Sequence, residues 1–207
     1  MQIDKITAIL MASGFSARFG NDNKLLVPFR GKPLALYTLD LVCGLLKTAD
    51  QNQDHQNQLP GFDQIFFITA DDKVAALARG LPVTVIRNSA PEKGQRESIR
   101  LGVEVSDADY YLFFPCDQPL LDRETVKRII GARQIGCIVQ PCFDGIPGNP
   151  VLFSGFFRDE LLSLGEGEHP RDIKKRHPET LVSVEAAGPL TLVDIDDPET
   201  LEKLERD

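Results

Sequence analysis

The sequence predicts a three-layer α/β fold, in which a mainly parallel sheet carries helices on both of its faces. Short, continuously apolar runs alternate along the chain with longer stretches whose apolar residues recur at helical spacing. Continuous apolar runs are typical of parallel strands that are covered on both faces. Their alternation with helices is typical of repeated strand–helix–strand units. At 207 residues, 42% of them hydrophobic, the chain is expected to form one domain over residues 1–207.

The predicted strands are the apolar runs themselves. They cover 6–11, 65–69, 83–86, 110–114 and 137–139, with further candidates at 150–153 and 190–195. Helices are predicted between and after them, over 33–47, 74–79, 92–105, 124–133 and 198–206. Pro33 and Pro198 suit a first helical turn, and Asp122 suits a helix N-cap. Residues 48–60 break the pattern, because they are polar and rich in Asn and Gln, and they are predicted to form a flexible loop.

The composition argues against several classes of protein. With 23 Lys and Arg residues against 31 Asp and Glu residues, the net charge is −8, which argues against binding nucleic acid or an anionic membrane by bulk electrostatics. A local basic loop can still bind an anionic small molecule. Four cysteines at irregular spacing indicate reduced thiols, and no apolar run is long enough to span a bilayer. We therefore expect a cytoplasmic protein.

The first apolar run ends in a loop of glycine and small residues. Ala12-Ser13-Gly14 begins the loop, Phe15-Ser16-Ala17-Arg18 continues it, and Lys24 follows. Small residues let backbone N–H groups approach a phosphate, and ligands of open α/β sheets bind at this edge. The spacing matches neither G-x-x-x-x-G-K-[ST] nor G-x-G-x-x-G. A turn that binds nothing is the alternative, but a turn alone has no need of both Arg18 and Lys24.

Acidic residues follow two other apolar runs. Asp117 comes shortly after the aromatic run 110–114, and Asp194 and Asp196 stand at the end of the candidate strand 190–195. One or two carboxylates together with substrate phosphates form a typical Mg²⁺ site. Each acid could instead cap a turn or a helix, and Asp197 before Pro198 is predicted to do so. With the basic loop, the two acidic segments predict a site for a Mg²⁺-bound polyphosphate.

These motifs resemble those of a known family. The segment LMASGFSARFGNDNKLLVPFRGKPL, residues 10–34, is similar to the signature of the nucleotidyltransferases with a MobA-like fold. It is most similar to the molybdenum cofactor cytidylyltransferase branch of that family. The resemblance continues through 94–102, 114–122, 148–153 and 194–201, and so covers nearly the whole chain. It implies a Rossmann-like, three-layer α/β/α nucleotidyltransferase fold with a mainly parallel sheet.

The resemblance also implies an activity and a set of site residues. The implied enzyme moves CMP from CTP onto the phosphate of the molybdopterin molybdenum cofactor and releases pyrophosphate, and its product would serve a molybdenum hydroxylase. The residues implied in nucleotide binding are Met11, Ala12, Ser13, Gly14, Phe15, Ser16, Ala17, Arg18, Lys24 and Ser98. The implied catalytic residues are Arg18, Lys24 and Asp117. Mg²⁺ would lie on Asp117 and Asp196, with Asp194 as the alternative second ligand, and Asn149 would face the acceptor.

Two other functions stay open at this stage. A guanylyltransferase of the same family uses GTP and typically carries A-G-G where this chain has Ala12-Ser13-Gly14. A chaperone would bind the cofactor or a nucleotide without turnover. It stays open because residues 165–171 depart from the G-D-x-G-x-R pattern on the acceptor side of the branch.

Two residue types near the motifs are predicted to have no chemical role. His55, His169 and His177 share no metal-ligand spacing, and they are predicted to be structural or on the surface. Cys116 stands beside Asp117, but the implied reaction needs no protein nucleophile. Cys116 is therefore predicted to be a small buried hydrophobe.

Overall fold

The computed structural model describes residues 4–14, 19, 23–47 and 61–206. The strands in this part of the chain are β1 (Ile6–Ala12), β2 (Pro28–Phe29), β3 (Lys32–Pro33), β4 (Gln64–Thr69), β5 (Thr84–Arg87), β6 (Tyr110–Pro115), β7 (Ile138–Phe143), β8 (Ile146–Pro147), β9 (Val151–Ser154) and β10 (Leu181–Glu185). β2 and β3 form a separate antiparallel pair. The other eight strands form one sheet.

The first strand of the chain lies inside the main sheet. The strand order is β10-β7-β9-β6-β1-β4-β5, with β8 paired to β7. β1 is parallel to both of its neighbours, β4 and β6, and β4 is parallel to β5. β9 is antiparallel to β6 and β7. The mostly parallel sheet that the apolar runs predict is therefore confirmed.

Helices cover both faces of this sheet. They are α1 (Leu34–Cys43), α2 (Asp72–Ala76), α3 (Gln95–Glu104), α4 (Arg123–Gly131), α5 (Arg158–Leu162), α6 (Pro170–Arg176) and α7 (Pro198–Arg206). Buried side chains of α1, α2 and α4 pack into one hydrophobic core, and those of α3, α5 and α6 pack into another.

The two cores explain why the strands are continuously apolar. Along β1, Ala8 and Leu10 belong to one core and Ile9 belongs to the other. Successive side chains of a strand point to opposite faces of the sheet, so a strand that is covered on both faces has no solvent-facing position. Each residue from Ile6 to Leu10 is at most 1% exposed.

Gly102 lets α3 lie close to the sheet. A Cβ atom at this residue would come within 2.7 Å of Cγ2 of Ile9, so even alanine would require the Ile9 side chain to move. The close approach holds the first residues of α3 near the end of β1. Gln95 and Ser98 of that helix line the same cleft as Met11 of β1.

Most predicted elements are confirmed, with shifts at their ends, but the candidate strand at 190–195 is wrong. This segment forms no strand. Its residue Ile195 is buried in a small cluster with Phe29, Leu34 and Leu204, and Val193 packs against that cluster. The apolar run therefore reflects burial of side chains and not strand pairing.

Six elements of the described residues were not predicted from the sequence: β10, α5, α6 and the two-residue strands β2, β3 and β8. β10 is an edge strand whose residues are half-buried or exposed, so it lacks the continuous apolar run of the inner strands. Both predicted caps are confirmed, since the side chain of Asp122 caps α4 and Oδ1 of Asp197 accepts a hydrogen bond from the N–H of Thr200 in α7 at 2.8 Å. The predicted loop at 48–60 lies outside the described residues. No helix within the described ranges has the length and apolar character needed to cross a bilayer.

Candidate functional site

Two neighbouring strands bring predicted site residues to one edge of the sheet. Met11 of β1 lies beside Pro115 of β6, and the two strands are parallel. Ser13 and Gly14 therefore leave the sheet next to Asp117. Ligands of open α/β sheets bind at this carboxyl edge, beside a change in strand order.

Lys24 reaches this edge from a single 3₁₀ turn, Lys24–Leu26. Asn23 caps the turn by accepting a hydrogen bond from the N–H of Leu25, whose side chain is buried. The Lys24 ammonium lies 2.6 Å from Oδ2 of Asp117 and 2.8 Å from Oδ1 of Asp196. One cation thus stands between two carboxylates from distant parts of the chain.

Individual hydrogen bonds tie the second acidic segment to the end of β6. The N–H of Ile195 donates to the carbonyl oxygen of Asp117 at 2.9 Å. Nε2 of Gln118 donates to the carbonyl oxygen of Leu192 at 3.1 Å. Gln118 is only 1% exposed, so its amide holds the segment from inside the protein. These bonds, and not a strand ladder, place Asp194 and Asp196 at the site.

The charged side chains in this cluster shift one another's pKa values. Burial disfavours the charge of Lys24, but attraction to Asp117 and then to Asp196 outweighs burial and raises the Lys24 pKa. Burial, followed by repulsion from Asp117 and Asp196, raises the pKa of Asp194 from 3.8 to about 6. Lys24 is therefore held as a cation, whereas Asp194 takes up a proton more readily than an exposed aspartate does.

Asp117 has a carboxylate oxygen that is not yet satisfied. Its Oδ1 atom is buried and accepts no hydrogen bond from the described residues. A buried acceptor without a partner costs free energy, which a bound ligand can recover. The described ranges contain no group of three or more His, Cys, Asp or Glu side chains that could hold a metal by themselves. Mg²⁺ does not need such a group, because it binds one or two carboxylates together with substrate phosphates, and Asp117 and Asp196 fit that requirement.

A cleft of about 370 Å³ opens over the cluster. It is lined by Met11, Ser13, Gly14, Lys24, Leu25, Pro91, Gly94, Gln95, Ser98, Pro115, Cys116, Asp117, His169 and Asp196. Two of its hydroxyl groups are held by hydrogen bonds. Oγ of Ser13 donates to the carbonyl oxygen of Ile68 at 3.2 Å, and Oγ of Ser98 accepts from Nδ2 of Asn88 at 3.3 Å.

A second cleft, of about 400 Å³, adjoins the first. The residues that line both clefts are Met11, Gln95, Pro115 and His169. The residues that line only the second cleft are Phe113, Pro147, Gly148, Asn149, Val151, Phe153, Pro170, Arg171 and Lys174. Two molecules that occupy the two clefts would meet at the shared wall.

The structure brings most of the predicted site residues together. Met11, Ser13, Gly14, Lys24, Ser98, Asp117 and Asp196 line the first cleft, and Asn149 lines the second. Ala12 is buried at the end of β1. Phe15, Ser16, Ala17 and Arg18 lie outside the described residues. Their roles stay predictions, as does the assignment of the other residues to phosphates, metal, base and acceptor.

His169 lies at the candidate site, although the sequence predicts only a structural or surface position for it. It lines both clefts, directly before α6 begins at Pro170. Its N–H donates to Oδ2 of Asp172 at 2.9 Å, which fixes the start of that helix. The signal was the departure from the family pattern at residues 165–171, where a His-Pro pair stands before Arg171.

Other predictions about single residues can be compared with the structure. His177 bonds Oε1 of Glu160 at 2.8 Å and packs against Phe157, so it is structural as predicted, whereas His55 lies outside the described residues. Cys116 is 1% exposed, and burial, with the nearby charge of Asp117, raises the pKa of its thiol well above the usual value. This environment fits a small buried hydrophobe and not a nucleophile.

Comparison with known proteins gives consistent results. The family described as the MobA-like NTP transferase domain matches residues 8–181. A molybdenum cofactor guanylyltransferase from Shewanella baltica is 26% identical over 204 residues, which cover 97% of this chain and 95% of that protein. A nucleotidyl transferase from Methanothermobacter has a TM-score of 0.79 at 21% identity, covering 98% of this chain and 96% of the other. Rv0371c from Mycobacterium tuberculosis H37Rv has a TM-score of 0.72 at 25% identity, covering 98% and 99%.

Proposed function

The chain belongs to the MobA-like NTP transferase family, and on this basis we propose that it transfers CMP from CTP to the phosphate of the molybdopterin molybdenum cofactor. The observation that carries the proposal is the Lys24 ammonium between Asp117 and Asp196, in a cleft that adjoins a second one. A triphosphate in the first cleft and an acceptor in the second would meet at the shared wall.

The proposed reaction is a nucleotidyl transfer. A phosphate oxygen of the acceptor forms a new bond to the α-phosphorus of the donor. The bond from this phosphorus to the oxygen that bridges to the β-phosphate breaks, and pyrophosphate leaves with the electron pair. The protein forms no covalent bond, so its tasks are to align the two phosphates and to neutralise their charge.

The residues of the first cleft divide these tasks between them. The backbone at Ser13 and Gly14 lies at the ligand-binding edge, where small residues allow phosphates to approach. Lys24 would exchange its carboxylate partners for the leaving phosphates, and Arg18 would add a second positive charge. Ser98 would lie near the ribose and the base.

The two carboxylates next to Lys24 would hold Mg²⁺. Asp117 offers a buried oxygen that accepts no hydrogen bond from the described residues, and Asp196 is more exposed. When bound, Mg²⁺ supplies positive charge that offsets the charge of the reacting phosphates. Asp194 lies next to this pair and is the alternative second ligand.

Cytidine as the donor base is supported by the resemblance of residues 10–34 and by Ser13. Ser13 lines the first cleft, and its hydroxyl is held by the carbonyl oxygen of Ile68. A side chain fixed in this way reduces the space for the larger purine ring.

Guanosine is the second candidate for the donor base. It is supported by the relative from Shewanella baltica, a molybdenum cofactor guanylyltransferase that is 26% identical over nearly the whole chain. That relative also supports the molybdenum cofactor as acceptor. Under either proposal the product would serve a molybdenum enzyme, and a hydroxylase is the proposed partner for the cytidine form.

Pyrophosphate release tests the proposed function. Purified protein, Mg²⁺ and molybdenum cofactor are mixed with CTP, GTP or UTP in separate reactions. Release with CTP supports the first proposal, and release with GTP alone supports the second. If no triphosphate releases pyrophosphate but the protein binds the cofactor, the chaperone function replaces both.

A further inference from the structure

The second cleft is positively charged in a protein that is negatively charged overall. Lys174 and Arg171 line this cleft, and no Asp or Glu side chain among the described residues does so. The whole chain carries a net charge of −8. A wall with two cations and no acid favours an anionic ligand.

Lys174 has no carboxylate partner among the described residues. Its Nζ donates to Oε1 of Gln140 at 2.8 Å, and this amide is neutral. Lys24 and Lys47 are also half-buried, but each of them pairs with an aspartate. Burial lowers the pKa of Lys174, so the folded protein disfavours its charge. An anion bound beside Lys174 would stabilise its charged form and so offset the cost of burying the charge.

Lys174 lies away from the cluster around Asp117. Lys24 and Asp117 line only the first cleft, whereas Lys174 lines only the second. Its partner Gln140 is on β7, which is separated from β6 by β9. Two strand spacings put Gln140 about 10 Å from β6 across the sheet.

The wall of the second cleft also has an apolar part. Phe113, Val151 and Phe153 line it, and the rings of Phe113 and Phe153 are in edge-to-face contact at 5.8 Å. Aromatic and branched side chains of this kind suit a flat, ring-containing body.

We propose that Lys174 binds a second negatively charged group of the acceptor, at the end remote from the phosphate that attacks the donor. The inference rests on the proposed function and narrows its acceptor. The acceptor class is a phosphate monoester with a ring-containing body and a further anionic group remote from the phosphate. Lys174 thereby sets acceptor specificity and takes no part in the bond changes.

Lys174→Met tests this inference, because it removes the charge and keeps most of the length of the side chain. The KM for the molybdenum cofactor is expected to rise about 10- to 100-fold, the usual effect of losing a hydrogen bond to a charged group. The KM for the triphosphate and the kcat at saturating acceptor are expected to stay unchanged. Lys174→Arg keeps the charge and is expected to recover most of the affinity.

Lys175→Met is the matched control. Lys175 is the next residue of the same helix, its side chain is 71% exposed, and it pairs with Asp172 outside the cleft. Its substitution makes the same change of charge and is expected to leave the acceptor KM unchanged. Melting temperatures of all variants identify any that fail to fold.

Three results would overturn the inference. An unchanged acceptor KM in Lys174→Met does so and leaves the proposed function intact. A fall in kcat alone does so as well, since it would place Lys174 in the chemical step. If the wild-type protein transfers nothing to the cofactor and does not quench or shift the pterin fluorescence of the cofactor, the proposed function fails and the inference fails with it.

Discussion

The charged groups of Lys24 and Asp117 lie 2.6 Å apart, and their side chains are only 13% and 17% exposed. An ion pair that is shielded from water in this way is coupled more strongly than one on the surface. Lys24 also pairs with Asp196, so one cation faces two carboxylates and the cluster keeps a net negative charge without ligand. A bound triphosphate would be a third anionic partner for Lys24. If Lys24 turned towards it, both carboxylates would become available to a divalent cation.

We expect Lys24→Ala to abolish most of the transfer. Loss of one pre-aligned positive group typically costs about 3–4 kcal/mol of transition-state stabilisation. Turnover at saturating triphosphate measures this loss, and thermal melting shows whether the fold is intact. Lys32→Ala is the control, because it breaks another lysine–aspartate pair, with Asp40, away from the clefts. Activity of Lys24→Ala within a few-fold of the wild type would remove Lys24 from the site.

Asp117→Asn should reduce Mg²⁺-dependent activity more than Asp194→Asn does. Asp117 has a buried oxygen without a hydrogen bond from the described residues, and its charge is held by Lys24. An amide keeps the shape and removes the charge that a hard cation requires. Activity is measured for both variants over a range of Mg²⁺ concentrations. Equal, mild effects would mean that the metal binds elsewhere.

The choice of donor base is expected to depend on Ser13. Ser13→Gly enlarges the first cleft, and it should shift the ratio of kcat/KM for CTP over GTP towards GTP by roughly 1–3 kcal/mol. The ratio is measured with the same cofactor as acceptor for both proteins. If the wild type prefers GTP, the cytidine assignment is wrong. If the wild type prefers CTP and Ser13→Gly keeps the ratio, the steric explanation alone is wrong.

His169→Gln is expected to impair transfer, because His169 lines both clefts where the two substrates would meet. Loss of one hydrogen bond to a phosphate should lower kcat/KM for the acceptor by about tenfold or more. His177→Gln is the control, since His177 contacts Glu160 and Phe157 outside both clefts. The same kcat/KM in His169→Gln as in the wild type would return His169 to the structural role that the sequence indicates.

Asp194 should make the stability depend on pH. Folding raises its pKa from 3.8 to about 6, so its folded state favours the protonated form. The stability that the protonated Asp194 contributes to the folded state is fully present below pH 3.8, and it is lost as the pH rises through about 6. Without Mg²⁺, Asp194→Asn should therefore gain up to about 3 kcal/mol in unfolding free energy over the wild type between these limits.

Urea unfolding from pH 4.5 to 8 measures the difference between the two proteins. Asp107→Asn is a suitable control, because the Asp107 side chain is fully exposed. A difference that stays constant across this range would show that the neighbours of Asp194 do not disfavour its charge.

The inner strands could be predicted from the sequence because burial on both faces leaves a visible pattern. Residues 6–11 and 110–114 are apolar without interruption for this reason. The run at 190–195 gives the same signal, but its Ile195 is buried against Phe29 without pairing in a sheet. A continuous apolar run therefore indicates burial, and it does not say which kind of contact buries it.

The residues of the candidate site could be predicted from the sequence, but the contacts between their side chains could not. The sequence predicts that Lys24, Asp117 and Asp196 belong to one phosphate site. It does not predict that Lys24 bridges the two carboxylates, because Lys24 and Asp196 are 172 residues apart and meet through the tertiary fold. The position of His169 could not be predicted for the same reason, since only the folded chain shows that it lines two clefts.

The order in which these segments are synthesised has a consequence for the cell. β1 is the first strand of the chain and lies inside the sheet. The segment that carries Asp196 comes much later in the chain, and its residue Ile195 is buried in one cluster with Leu204 of α7. A growing chain on the ribosome therefore exposes Lys24 and Asp117 long before their third partner exists. During this interval Lys24 can pair with Asp117 but not yet with Asp196. A nucleotide that bound the nascent protein would meet a site that still lacks the Asp196 carboxylate.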